Sequence, residues 1–333
     1  MEFFMRIIDC HCDTLTALFY QQQKDKLGNL RENSFHFDLN KMAKGQYLLQ
    51  NFAIFLDTKE QSHPMEECLN VIDYYYQQLE QSKDIIAPVY QFQDIIDNLA
   101  NGKLSAMLTL EDGGILEGNL ANLRNAYRLG IRMITLTWNY QNEIAGPSLF
   151  YDQKGQPNPY IRSTVGGLTS FGLEFVQEME RLGIIIDVSH LSDQGFFDVL
   201  HSTTKPFVAS HSNSAAICPI CRNLTDPMLK ELGNRGGITG LNFCEDFILP
   251  KENPTAKELE TALIQHARHI VDVAGIESLA LGSDFDGIPG NTWLQDASHM
   301  ELLYDSLHKN GFSESDLDKI FYQNVLRVYK DIL

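Results

Sequence analysis

The sequence predicts an α/β protein of the (β/α)8 TIM-barrel type. Three observations carry this. Eight short apolar, β-rich runs recur along the chain. Amphipathic helical patterns separate most of them, several ending in glycine as helix C-termini do. The metal-capable and acidic residues fall at the C-terminal ends of the runs, the face on which such barrels build their active sites.

The runs, in order, are RIIDCH (6–11), QNFAIFL (50–56), SAMLTLE (105–111), RMITLTW (132–138), GIIIDVSH (183–190), PFVASHS (206–212), GITGLNF (237–243) and SLALGSDF (278–285). Continuous apolar strands alternating with helices imply a parallel sheet covered on both faces. A doubly wound sheet is the alternative. The barrel is preferred because His11 and Asp13, Glu111, His190, His211, and Asp284 with Asp286 all close strand-like runs. In a closed barrel, strand ends so far apart in sequence share one face and converge on one pocket. Between runs four and five, residues 140–167 form a long Gly/Pro-rich stretch, expected to wall the cleft as a loop or to make a dimer contact.

With 333 residues, 44% of them hydrophobic, the chain can bury a large core as a single domain, 1–333. No 18-residue apolar stretch and no secretory signal is visible, so a soluble, cytoplasmic protein is expected. The net charge of −18 argues against nucleic-acid binding and against docking on an anionic membrane. The six cysteines read as free thiols. Cys218 and Cys221, in CPIC, have zinc-knuckle spacing but lack the second pair that a structural site requires.

His11 and Asp13 stand two apart, so they share one face of a strand, while Cys12 points to the other and reads as core. Glu111 follows an apolar run and precedes two glycines, a position at a barrel mouth; Asp112 reads better as a helix-start acid. His190 and His211 end successive runs. The remaining histidines, His266 among them, read as surface. Three histidines and two carboxylates exceed what one tetrahedral zinc with an open position needs, and suit two metals if one carboxylate bridges. Such a pair polarises a carbonyl and generates hydroxide, which predicts hydrolysis. Asp284 is the favoured general acid/base, with Asp286, before Gly287, the turn-shaping alternative.

The pieces DCHCDTL, LEDGG, GLTSFGLEFVQEMERLGIIIDVSHLS, SHSNSAAICPICRNLTD and LGSDFDG occur in this order along nearly the whole chain. In combination they resemble the membrane dipeptidase family, peptidase family M19. The resemblance implies a metal-dependent hydrolase barrel that cleaves dipeptides with two Zn2+ per chain. His11 and Asp13 match the ligands of the first zinc, Glu111 the bridging carboxylate, and His190 and His211 the ligands of the second. Asp284 matches the acid beside the metals, and Arg222 the arginine that contacts the substrate carboxylate, a group that guanidinium reads bidentately. Without the motif, Arg222 would read as a salt bridge to Asp226.

Two positions depart from the well-studied animal members. Trp138 stands where they carry a substrate-side histidine, and Cys244 where they show an aromatic hydroxyl. Tryptophan can pack on a substrate or donate one N–H, but cannot take a proton. Asn139 and Asn142 are nearby donors able to substitute. The leading expectation is a dipeptidase working through a metal-bridging hydroxide, with small dipeptides as its partners and a D-residue accepted at their C-terminal position. The alternative is another dinuclear amide hydrolase, such as an N-acyl amino acid deacylase, and a different class is a non-catalytic scaffold. A homodimer is in keeping with the family.

Overall fold

Eight parallel strands close into a barrel. The structure, a computed structural model, describes residues 6–24, 28–163 and 166–333. In chain order the strands are β1 (Ile7–Cys12), β2 (Tyr47–Phe55), β3 (Ile86–Pro88), β4 (Leu104–Glu111), β5 (Ile131–Thr135), β6 (Leu149–Tyr151), β7 (Pro157–Arg162), β8 (Ile185–Asp187), β9 (Val208–Ala209), β10 (Ile238–Leu241) and β11 (Leu279–Leu281). The order β2-β1-β11-β10-β9-β8-β5-β4 is closed by β2 pairing β4, from Leu49↔Ser105 to Phe55↔Glu111. Each of the eight runs read from the sequence overlaps one barrel strand. β3, which the sequence did not announce, adds to the N-terminal half of β4 outside the barrel.

The barrel forms because each strand contributes at least one apolar residue to its centre: Ile8, Leu49, Met107, Met133, Ile185, Val208, Ile238 and Ala280 belong to one buried cluster. Val325, Val328, Tyr329 and Ile332, from the terminal helix Asn324–Ile332, join that cluster. Burial of such a side chain is worth about 1.5–3 kcal/mol. A larger cluster lies between the strands and the surrounding helices, among them Thr14–Lys24, Pro64–Gln81, Ser170–Leu182 and Ala256–Ala274. Ser170–Leu182 ends on Gly183 at φ 77°, as the glycine signal predicted. Among the described residues, no helix is long and apolar enough to cross a membrane.

Strand parity sets which residues face the mouth. In β1, Ile8 and Cys10 join the central cluster, whereas Cys12 joins the outer one. Strict alternation would have put Cys10 and Cys12 on one side. A register shift between Asp9 and Cys12 breaks the alternation. Bulges re-aim side chains in this way, and this one turns His11 and Asp13 inward.

The stretch 140–167 is not the irregular loop the sequence suggested. It carries the antiparallel hairpin β6–β7, while Thr164 and Val165 lie outside the described residues. Arg162 fixes the hairpin to the barrel rim: its Nε and Nη2 donate to both oxygens of Asp193, and its Nη1 donates to the carbonyls of Ile220 and Asn223.

Candidate active site

A cavity of about 790 Å3 opens at the C-terminal ends of the strands. Asp13, Glu111, Trp138, His190, Arg222, Cys244, Asp284 and Asp286 all line it. His11 and His211 lie beneath, 1% and 0% exposed. The structure thus brings together the residues named from the sequence as metal-capable, catalytic or substrate-binding, Asn142 being left outside.

Two groups of ligand atoms meet on Glu111. His11 Nε2 is 3.3 Å from Asp13 Oδ2 and 3.2 Å from Glu111 Oε2. The other oxygen, Oε1, is 3.0 Å from His190 Nε2 and 3.7 Å from His211 Nε2. His190 and His211 bring their Nε2 atoms within 3.2 Å of each other, and the His11 and His211 rings stack at 3.9 Å. Asp284 Oδ1 stands 4.0 Å from His11 Nε2, and Asn242 Nδ2 donates to its Oδ2 at 2.8 Å.

The electrostatics follow from burial. Burial, with the charges of Arg222 and His11, pushes His190 and His211 well below the ordinary imidazole range, so both are neutral. Burial opposes a charge on His11 too, but Glu111 and Asp13 together lift it well above that range. Burial raises Glu111 to about 7 and Asp284 to about 6, each eased back by His11.

The donor chemistry fits divalent metal. His190 Nδ1 faces Asn139 Oδ1 at 3.0 Å, and His211 Nδ1 faces Ser210 Oγ at 2.7 Å. With Nδ1 donating in both rings, both Nε2 atoms present lone pairs to each other and to Glu111. Neither ring nitrogen of His11 nor Asp13 Oδ1 has a hydrogen-bond partner, though all three are buried. Buried polar atoms left without partners cost several kcal/mol. A cation accepts all these lone pairs at once, and imidazole with carboxylate is a donor set that zinc takes. Three triads could each hold an ion: His11–Asp13–Glu111, Glu111–His190–His211, and His11–His211–Asp284.

The backbone is shaped around these groups. His190, Asp284 and Asp286 adopt left-handed φ of 66°, 63° and 69°. Asp and His tolerate this better than most residues, and such conformations cluster where function holds them. At Gly287 a Cβ would meet Asp13 Oδ2 at 2.2 Å and Asp284 Oδ1 at 2.6 Å. Position 287 therefore admits a side chain only if both carboxylates are displaced.

Arg222 is 6% exposed and is the one lysine or arginine lining the cavity among the described residues. It donates to Ser212 Oγ and to the His211 carbonyl, both at 3.2 Å, and its Nε has no partner. The salt bridge to Asp226 does not form; Asp226 pairs with His269 at 2.7 Å. Trp138 packs on Phe55 and Tyr140, with centroids 4.8 and 5.4 Å apart, and lies 6.4 Å from His190. Cys244 lines the cavity as a neutral thiol, pushed up to about 12 by burial. Cys218 and Cys221 are buried free thiols.

Asp286 accepts from Thr14 Oγ1 and from the His36 backbone N–H, so it braces the rim and does not merely shape a turn. Asn142 is committed to Asp112 and the Leu136 carbonyl, away from the cavity. His266 corrects the surface assignment made from its helical pattern: it is fully buried, its Nδ1 receives the Ser214 N–H and its Nε2 faces the Ile248 carbonyl. Sequence reasoning did not give Asn139 its role against His190, and it missed Asn242, Asp187 and Ser210. The carboxylate at the end of the apolar run GIIID was the available signal for Asp187, since an unpaired charge is not left in a strand core.

With this geometry in hand, comparison with known proteins is direct. The sequence profile described as "Membrane dipeptidase (Peptidase family M19)" matches residues 3–332. An uncharacterized dipeptidase of Schizosaccharomyces pombe is 32% identical over 98% of this chain and 80% of its own length. Among solved structures, dipeptidase AC, a metallopeptidase of family M19, superposes with TM-score 0.89 at 23% identity, covering 99% of both chains. A Rhodobacter sphaeroides metallopeptidase, liganded with a phosphinate mimic of the dipeptide L-Ala-D-Ala, gives 0.88 at 23% identity, covering 99% of this chain and 100% of its own. The chain belongs to the membrane dipeptidase family, peptidase family M19, and is a peptide-bond hydrolase of the metal-dependent kind.

Proposed function

We propose that the chain hydrolyses dipeptides with two Zn2+ held by His11, Asp13, His190 and His211 and bridged by Glu111. The observation that carries this is the Glu111 carboxylate, whose two oxygens face separate histidine groups at 3.2 and 3.0 Å. Zinc ions held by these residues would supply a nucleophile from water at neutral pH and would polarise the scissile carbonyl.

The chain's own residues do the rest. Arg222 receives the substrate's C-terminal carboxylate, because it is the cavity's one guanidinium and has donor capacity left. Asp57, Glu60, Asp246 and Asp286 also line the cavity. This excess of carboxylates favours a substrate with a free ammonium over one with an acylated nitrogen. Asp284, raised to about 6, is mostly ionised at neutral pH, so it takes up a proton as the nucleophile forms and passes it to the leaving amine. Trp138 and Phe55 pack against the substrate and exclude water.

The test is an assay of metal-stripped and zinc-restored protein against L–L dipeptides, L–D dipeptides and their N-acetylated forms. The L-Ala-D-Ala mimic bound by the Rhodobacter protein motivates the L–D arm. Zinc-dependent cleavage of the free dipeptides alone is expected. Cleavage of the acetylated forms alone would move the assignment to a deacylase.

A further inference from the structure

The buried network beneath the site holds a feature that binding and chemistry at the cavity do not use. Asp187, at the end of β8, is 0% exposed, as is Ser210 just past β9. Oδ1 of Asp187 accepts the backbone N–H groups of Ser189 and Ser210, at 2.9 and 2.8 Å. Oδ2 accepts the hydroxyls of Thr135 and Ser210, at 2.6 and 2.5 Å. The Ser210 oxygen then lies 2.7 Å from His211 Nδ1.

We infer that Asp187 and Ser210 are positioning residues that commit His211 to binding metal through Nε2. The reasoning is a count of hydrogens. Ser210 has one hydroxyl hydrogen, and it goes to Asp187. Toward His211, Oγ can therefore only accept, which requires the imidazole hydrogen on Nδ1. That leaves the lone pair on Nε2, the atom 3.7 Å from Glu111 Oε1 and 3.2 Å from His190 Nε2. The carboxylate charge, relayed through the hydroxyl, also makes the imidazole a better donor, as outer-sphere carboxylates do.

The chain of groups is not a nucleophilic triad. Ser210 is fully buried, does not line the cavity, and stands between the carboxylate and the imidazole instead of at the end facing substrate. Glycine makes room for it: a Cβ at Gly282 would lie 1.8 Å, and one at Gly240 2.1 Å, from the Ser210 carbonyl oxygen. Glycine in β10 and just past β11 thus leaves room for the Ser210 carbonyl.

This inference rests on the metal reading above and is tested on metal uptake. Ser210→Ala, Ser210→Thr and wild type would be stripped, titrated with Zn2+ against a chelator, and scanned for the d–d bands of the Co2+-substituted form. Wild type is expected to take up two ions. Ser210→Ala, with Nδ1 no longer held, is expected to bind one of them about 10–100-fold more weakly, with altered Co2+ bands and nearly unchanged melting of the stripped protein. Ser210→Thr, which keeps the hydroxyl, is expected to recover the affinity. If Ser210→Ala keeps both ions at wild-type affinity, or loses affinity only in step with its melting temperature and without rescue by threonine, the inference falls while the metal reading stands. A wild-type chain that takes up no ion overturns both.

Discussion

His266 shows how burial turns one side chain into a pH dependence. Burial holds its pKa down to about 4, from an ordinary 6.5, with the nearby His269 adding to the shift and the Ile248 carbonyl opposing it. Protonating Nδ1 would also remove the acceptor for the Ser214 N–H. Between these values the unfolded chain binds the proton and the folded chain does not. The stabilisation is therefore complete above pH 6.5 and is lost as pH falls toward 4. A shift of this size corresponds to roughly 3 kcal/mol. Urea titrations of metal-stripped protein across this window should show His266→Gln less stable than wild type at pH 7 but with a flatter fall toward pH 4. Equal slopes would show that His266 does not carry the dependence. The motif residues, in contrast, were legible in combination, because His, Asp and Glu at several successive strand ends have few structural reasons to be there together, while Arg222 was legible only through its motif. His266 was not, because a helical repeat gives the face of a residue only once the packing partner is known.

The hairpin β6–β7 is the element on which substrate affinity should depend most. Leu149 and Pro159 put it on the cavity wall, and Pro159 accepts the Cys221 N–H at 2.8 Å, next to Arg222. Arg162 anchors it by donating from one guanidinium to three residues, Asp193, Ile220 and Asn223. Arg162→Ala should loosen this wall and raise KM several-fold, with kcat lowered less, since no reacting group sits on the hairpin. A fall in kcat at unchanged KM would place the hairpin's contribution in the chemical step instead. The sequence signalled this element only as a Gly/Pro-rich stretch. Its strands are short and partly exposed, and their pairing is set by anchors on Asp193, Ile220 and Asn223 that no local pattern reveals.

At the scale of the whole molecule, the barrel is closed at the end opposite the site by the helix Asn324–Ile332, whose Val325, Val328 and Ile332 complete the central cluster. Tyr329 reaches further, receiving Asn51 Nδ2 at 2.6 Å, and Asn51 also donates to the Cys10 carbonyl in β1. Removing residues 324–333 would expose this cluster and leave Asn51 buried without its partner. The truncated chain is expected to lose the cooperative thermal transition and to expose apolar surface, read by calorimetry and dye binding. A truncated chain melting as wild type does would show that the helix is peripheral.

The sequence by itself determined the eight strands, the order in which their ends carry His, Asp and Glu, and the family, because short apolar runs alternating with helical patterns are legible locally and several such polar residues at successive strand ends have few other uses together. The tertiary structure decided the rest. It turned His11 inward through a bulge, set His190 and Asp284 in left-handed conformations, gave Glu111 two faces, and placed Asp187 and Ser210 behind His211. These depend on which strands become neighbours when the sheet closes, and on distances between groups far apart in the chain. A linear pattern contains neither.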